Sequence, residues 1–110
     1  MVQKRAVGGT LGSVREELAA RIGMLDACIG LKRPDDLARE IDAIRDLANR
    51  NGMRPAVTVA QALEMALARG ERGPLIHGWL AILRDAIGSE RHDDAACDTF
   101  RAACAVRMFG

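Results

Sequence analysis

Aromatic residues are scarce in this sequence, and their scarcity excludes one class of function. The chain has one Trp, two Phe and no Tyr, together 3% of its residues. Proteins that hold single-stranded nucleic acid stack the bases on aromatic side chains. Three rings are too few for such a platform, so we expect no partner of this kind.

An excess of either charge is also lacking. Sixteen Lys and Arg stand against fifteen Asp and Glu, which leaves a net charge of +1 at pH 7. Duplex nucleic acid and anionic membranes attract proteins mainly through bulk positive charge. We therefore expect no membrane partner and do not expect nucleic acid.

Long apolar runs are missing as well. No stretch of the sequence reaches the roughly 20 apolar residues that a membrane-spanning helix needs. The first residues, MVQKRAVGGTLG, are basic but contain no apolar core of a signal peptide. The expected location is the cytoplasm.

The three cysteines, Cys28, Cys97 and Cys104, form no C-x-x-C pair. An odd number without paired spacing is typical of reduced intracellular thiols and not of a disulfide framework. Cys97 and Cys104 lie seven residues apart, so they share one face of a helix. Because free cysteine packs as a small hydrophobe, we expect these two in the core.

Metal-binding and catalytic motifs are not found either. His92, Asp93, Asp94 and Cys97 bring four donors together, but these mixed hard and soft ligands match no usual zinc spacing. There is no phosphate-binding loop, dinucleotide fingerprint or serine elbow. His77 has Gly73 and Ala81 as helical neighbours, and neither can act on it, so a partly buried structural histidine is expected. We predict no catalytic residue, no metal, no cofactor and no enzyme activity.

What the chain does contain is helix-forming apolar sequence. Hydrophobic residues make up 49% of the chain, enough to bury a core without metal or disulfide crosslinks. Ala, Leu, Ile, Met and Arg dominate and favour helix. No alternating strand pattern occurs. We predict an all-α fold, an antiparallel up-down four-helix bundle with an additional C-terminal helix. Residues 1–12 are expected to form a flexible tail and residues 13–110 a single domain.

The second helix is the most sharply specified of the five. Pro34 suits the first helical position, and Asp35 and Asp36 suit the positive end of the helix dipole. An apolar stripe follows at steps of three and four, at Leu37, Ile41, Ile44 and Leu47. Asn51 and Gly52 predict the end of the helix. Two ion pairs of four-residue spacing are expected on its outer face, Asp35 with Arg39 and Asp46 with Arg50.

Local signals also delimit the other helices. Two capping boxes, Ser13 with Glu16 and Thr58 with Gln61, predict the starts of the first and third helices. The first then ends near Ile29 and the third at Gly70. The fourth helix is predicted from Pro74 to Ile87, with Gly88 and Ser89 ending it, and the fifth over residues 93–108.

The fourth helix is apolar on nearly all sides, which is typical of a central helix or of one at a subunit interface. In the second case, the chain forms a homodimer through the side chains that surround its tryptophan. These candidate interface residues are Ile76, Trp79, Leu80 and Leu83.

Residues 62–83 also allow a DNA-binding interpretation, because Ala66, Gly70, Ile76 and Trp79 fall where a helix-turn-helix favours small, turn and apolar residues. The recognition helix of that motif would have to present polar side chains to base edges. Here it presents Leu75, Ile76, His77 and Gly78, so a DNA-binding regulator remains only an alternative.

Two neighbouring segments follow the order and spacing of a signalling family. LAREIDAIRDLANRNG is followed by a short break and then by AQALEMALARGE. A pattern LE-x-AL-x-x-G runs through Leu63, Glu64, Ala66, Leu67 and Gly70. Together these segments resemble the histidine-containing phosphotransfer (HPt) domain, over residues 14–87. The resemblance implies a four-helix bundle that takes part in bacterial phosphorelays with receiver domains.

The phosphate-accepting part of the HPt pattern is missing. That family's active helix carries His, then Lys three residues later and Gly four residues later. With Leu47 at the motif's central apolar position, these slots hold Arg45, Ala48 and Asn49. Arg45 cannot carry a phosphoryl group, and Ala48 lacks the cation that would steady its charge. The resemblance thus implies a degenerate HPt domain, a non-catalytic adaptor in signal transduction.

The resemblance places the partner-binding site on the outward face of the second helix. The expected partner is a protein, such as the receiver domain of a response regulator. The candidate residues are Arg39, Asp42, Arg45, Asp46, Asn49 and Arg50. An alternative keeps active phosphotransfer and assigns it to His77, although Leu80 and Ala81 stand where the motif has Lys and Gly.

Overall fold

The computed structural model describes residues 10–89 and 94–109, and these residues form five helices. The helices are α1 (Thr10–Cys28), α2 (Pro34–Arg50), α3 (Arg54–Ala68), α4 (Pro74–Gly88) and α5 (Asp94–Phe109). No strand occurs in these two ranges, so the predicted all-α class is confirmed. Of the helices in the same ranges, none is both long enough and apolar enough to cross a bilayer.

The first four helices pack in a closed ring. α1 contacts α2 and α4, and α3 contacts the same two helices from the other side. α5 lies mainly against α3, with a smaller contact to α4. Each of the first four helices therefore turns one face toward a shared interior.

That interior is apolar. Trp79 of α4 is its largest side chain and is completely buried. Leu18 and Ile22 of α1, Ile44 of α2 and Leu63 of α3 are equally buried in the same cluster. Among the described residues, no polar or charged side chain is buried. Hydrophobic burial is thus the main stabilising term for this arrangement.

The second helix forms as the sequence predicts. Pro34 occupies its first turn, Asp35 and Asp36 follow there, and Gly52 has a φ of 70° just beyond its C-terminal end. A positive φ favours glycine, because a Cβ would crowd the backbone. Asp46 and Arg50 form the predicted ion pair, at 3.1 Å.

One predicted pair on α2 is different in the structure. Arg39 pairs with Asp36, three residues before it, where Asp35 had been expected. Both spacings bring side chains together on a helix, so the sequence pattern did not discriminate between the two carboxylates.

Both capping-box predictions are wrong. α1 begins at Thr10 and α3 at Arg54, so Ser13 and Thr58 lie inside helices and cannot cap them. In α3, Pro55 occupies the first turn, and Met53, Pro55 and Ala56 are buried. The preset backbone of proline and this burial favour a start five residues earlier, with Met53 at the N-cap position in place of Thr58. Of the predicted tail, residues 10–12 are helical and residues 1–9 lie outside the described residues.

Candidate functional site

The six candidate partner-binding residues lie together on α2, and we call them the α2 surface: Arg39, Asp42, Arg45, Asp46, Asn49 and Arg50. Five of them are exposed, and Arg45 is half-buried. The opposite face of α2 is buried in the core through Leu37, Ile41, Ile44 and Ala48. The apolar stripe thus orients the helix so that its charged face points outward.

Charges on the α2 surface are paired within the helix. Arg39 contacts Asp36, Arg45 contacts Asp42, and Arg50 contacts Asp46. Exposed pairs of this kind contribute only about 0.2–1 kcal/mol each to stability. The surface therefore offers alternating charges at defined positions and little net charge.

Arg45 also connects α2 to α3. Its Nε lies 3.0 Å from Oε1 of Glu64. Burial raises the pKa of Glu64, and the charge of Arg45 acts in the opposite direction. The hydrogen bond to Asp42 and the charge of Glu64 raise the pKa of Arg45. Arg45 is thus held by carboxylates from two helices.

Sequence reasoning did not place Glu64 in the site. Glu64 belongs to α3, whose inner surface is Ala-rich, and it lies 19 positions after Arg45 in the sequence. The sequence signal for Glu64 was its position as a charged residue at the edge of a surface that otherwise carries small apolar side chains. Its partner depends on how α2 and α3 pack, which the spacing within one helix does not reveal.

His77 has a partner that local sequence did not suggest. Its Nδ1 contacts Oδ1 of Asp26, which lies on α1. The side chain of His77 is 48% exposed, so about half of it is covered. The contact leaves Nε2 on the far side of the ring from Asp26, as in histidines that are oriented by a carboxylate.

The candidate oligomer residues belong to the chain's own core. Ile76, Trp79 and Leu83 are fully buried and Leu80 is 1% exposed. These four side chains are therefore not available for a second copy to cover. The apolar character of this helix follows instead from its contacts with α1, α3 and α5.

The indole of Trp79 is held from two sides. Its Nε1 donates to Oε1 of Glu71 at 2.9 Å, and the Arg107 guanidinium lies 5.7 Å from the ring centroid. A helix-turn-helix usually buries an apolar side chain in its turn, where this chain has Glu71. In this fold, α4 exposes Leu75 and His77 and buries Ile76. In the first turn of α4, His77 is the single exposed polar side chain, whereas base readout requires several.

The cysteines are free thiols. Cys97 and Cys104 are buried, which confirms their predicted core position, and Cys28 is half-buried. Burial raises the pKa of the Cys104 thiol. Residues 92 and 93 of the rejected metal cluster lie outside the described ranges. Within those ranges, no group of three or more His, Cys, Asp and Glu side chains could hold a metal ion.

Comparisons with known proteins return no relative. No family model, curated protein or solved structure matches this chain.

Proposed function

We propose that this chain is a non-catalytic protein-interaction module that docks a partner protein on the α2 surface. The observation that carries the proposal is the position of the six residues on one exposed face, with Arg45 held by Asp42 and Glu64. Side chains that are already ordered lose less conformational entropy when a partner binds. The alternating charges select a partner by position and sign.

We further propose that the first four helices run antiparallel, up and down, as in an HPt domain. Short connections over residues 29–33, 51–53 and 69–73 support this topology, as does the closed ring of helix contacts. On this basis the partner is a receiver domain. Arg45 occupies the slot of the missing phosphate-accepting histidine, so binding occurs without phosphoryl transfer through α2.

The test is a titration of isotope-labelled chain with purified receiver domains, followed by amide chemical shifts. We expect the shifts to concentrate on α2, and the variant Arg50→Glu to weaken binding by about tenfold, since it reverses one exposed charge of the surface. Arg84→Glu is the matched control, because Arg84 is exposed on α4. Shifts confined to other helices, or equal binding by Arg50→Glu, would refute docking on α2.

A second candidate function is phosphoryl acceptance by His77, and the contact with Asp26 favours it. A carboxylate on Nδ1 holds the tautomer in which Nε2 carries the lone pair. In this reaction Nε2 attacks the phosphorus of an aspartyl phosphate. The new N–P bond forms while the P–O bond to the aspartyl group breaks, and the leaving carboxylate takes that bond's electron pair. The proton remains on Nδ1, where the carboxylate of Asp26 accepts its hydrogen bond and balances the positive charge of the ring.

A phosphorylated receiver domain incubated with the chain tests this candidate. If His77 accepts the group, acid-labile phosphate appears on the chain. It is lost in His77→Ala and reduced in Asp26→Asn, because asparagine leaves no charge to hold the tautomer. Gln61→Ala, at an exposed position of α3, serves as the control and should label normally. An unlabelled chain, or label that persists in His77→Ala, excludes the candidate.

A further inference from the structure

Two connections of the fold meet at one end of the molecule, which we call the loop end. They are the segments over residues 29–33 and 69–73. Ile29 and Lys32 from the first segment, and Arg72 and Gly73 from the second, line one cavity of about 230 Å³. The two segments are therefore neighbours in space.

The loop end exposes large apolar side chains. Leu31 is 86% exposed, Met24 is 67% exposed and Leu75 is 51% exposed. Single exposed apolar residues are common, but a group of them beside cavities is typical of an interaction site. Leu31 lies in the first segment, Leu75 follows the second, and Met24 of α1 lines a cavity together with Lys32 of the first segment.

Two cavities give this surface its concave shape. The first, defined above, has apolar walls from Ile29, Leu37 and Ile76. The second has a volume of about 200 Å³ and is lined by Met24, Leu25 and Cys28 with three charged residues. Lys32 lines both, so the two cavities are adjacent. Each has room for an apolar side chain with a cationic group at its rim.

The positive charges of the loop end are available to a ligand. Within the described ranges, no ion pair involves Lys32, Arg33 or Arg69. Arg72 donates to the carbonyl oxygens of Leu67 and Glu71, at 3.2 and 2.6 Å, which fixes its guanidinium without neutralising it.

Most nearby carboxylates are already engaged. Asp26 contacts His77, Asp36 contacts Arg39, and Glu71 accepts from the indole of Trp79. Asp35 is exposed, and Glu40 lines the second cavity. An imidazole or indole partner does not cancel the charge of a carboxylate, so the excess of positive charge lies in the two segments themselves, which hold four cationic side chains and one carboxylate, Glu71.

We propose that the loop end is a second docking site, which binds an acidic segment of a partner protein. Apolar side chains of that segment enter the two cavities, and its carboxylates face Lys32, Arg33, Arg69 and Arg72. Charge complementarity identifies the segment as acidic. The concave cavities favour side chains of a peptide over a bilayer surface, which offers no protruding groups to fill them.

The test begins with a displayed library of random peptides that is selected against the full chain. Recovered peptides are synthesised and titrated at two salt concentrations. We expect enrichment of Asp and Glu around two apolar residues, and binding that weakens as salt rises. Recovery of peptides without acidic residues, or of none, would overturn the proposal.

Variants locate the binding site. Lys32→Glu and Leu31→Asp should each weaken binding by about tenfold, through the lost charge and the lost apolar contact respectively. Leu31 is almost fully exposed, so Leu31→Asp leaves the core intact. This variant still tests the site if Lys32→Glu fails to fold. Arg50→Glu changes the α2 surface and should bind the peptides normally, which separates this site from the one proposed above.

A membrane is the competing occupant. Vesicles of equal parts phosphatidylserine and phosphatidylcholine are mixed with the chain and sedimented. Co-sedimentation that is lost in Leu31→Asp, together with no binding of acidic peptides, would assign the loop end to a lipid surface and refute the protein partner.

Discussion

At the scale of single residues, Gly78 is the position on α4 against which the side chain of Arg107 from α5 packs. The Arg107 guanidinium donates to the carbonyl oxygen of Leu75 at 2.8 Å. A Cβ built on Gly78 would lie 2.1 Å from a terminal nitrogen of that guanidinium. The missing side chain of Gly78 thus makes room for the contact that joins α5 to α4.

The substitution Gly78→Ala tests this contact. Alanine favours helix by about 1 kcal/mol over glycine, but its methyl group would displace Arg107 and remove a hydrogen bond worth about 0.5–1.5 kcal/mol. We expect little net change in the wild-type chain and stabilisation by about 0.5–1 kcal/mol in an Arg107→Ala background. Urea unfolding of the four proteins measures the difference. Equal effects in both backgrounds would show that Gly78 and Arg107 are not coupled.

At the scale of helices, α2 and α3 are joined across their polar edge by Arg45 and Glu64. Burial raises the pKa of Glu64 in the folded chain, so the folded state binds its proton more tightly than the unfolded state does. The contribution of Glu64 to folding stability is fully present at pH values below its pKa in the unfolded chain. It is lost as the pH rises through the higher pKa of Glu64 in the folded chain. Arg45 reduces this loss but does not reverse it.

The variant Glu64→Gln should therefore gain stability relative to the wild type as pH rises. The two proteins should differ least below about pH 4, where both side chains are neutral, and most near pH 7. Glu64 is partly exposed, so we expect a difference below about 1 kcal/mol. Thermal unfolding across this range measures it, and Glu40→Gln on α2 is the control. A difference that is constant with pH would show that Glu64 does not titrate in this way.

Several helices were predictable because the signals that define them are local. Pro34 and Gly52 bracket α2, and its apolar stripe is buried as expected. The two capping boxes misled because Ser13 and Thr58 also fit the interior of an amphipathic helix. A cap is defined by backbone conformation, which neighbouring packing decides.

At the scale of the whole molecule, the two proposed docking sites use different features of one fold. The α2 surface lies along the outward face of a helix and has its charges paired. The loop end combines residues from two connections and holds unpaired positive charge. The charged face of α2 could be predicted from the three- and four-residue spacing of the apolar residues in that one helix. The loop end could not, because Lys32 and Arg72 line one cavity only when the helices pack.

The sequence by itself determined the all-α class, the extent of α2, the outward position of its charged residues and the burial of Cys97 and Cys104. These depend on helix periodicity and on proline and glycine at helix ends, which act over a few residues. Only the tertiary structure decided that Arg45 meets Glu64, that Asp26 meets His77, and that the apolar α4 fills the core. Each of these depends on how helices distant in sequence rotate and pack against one another.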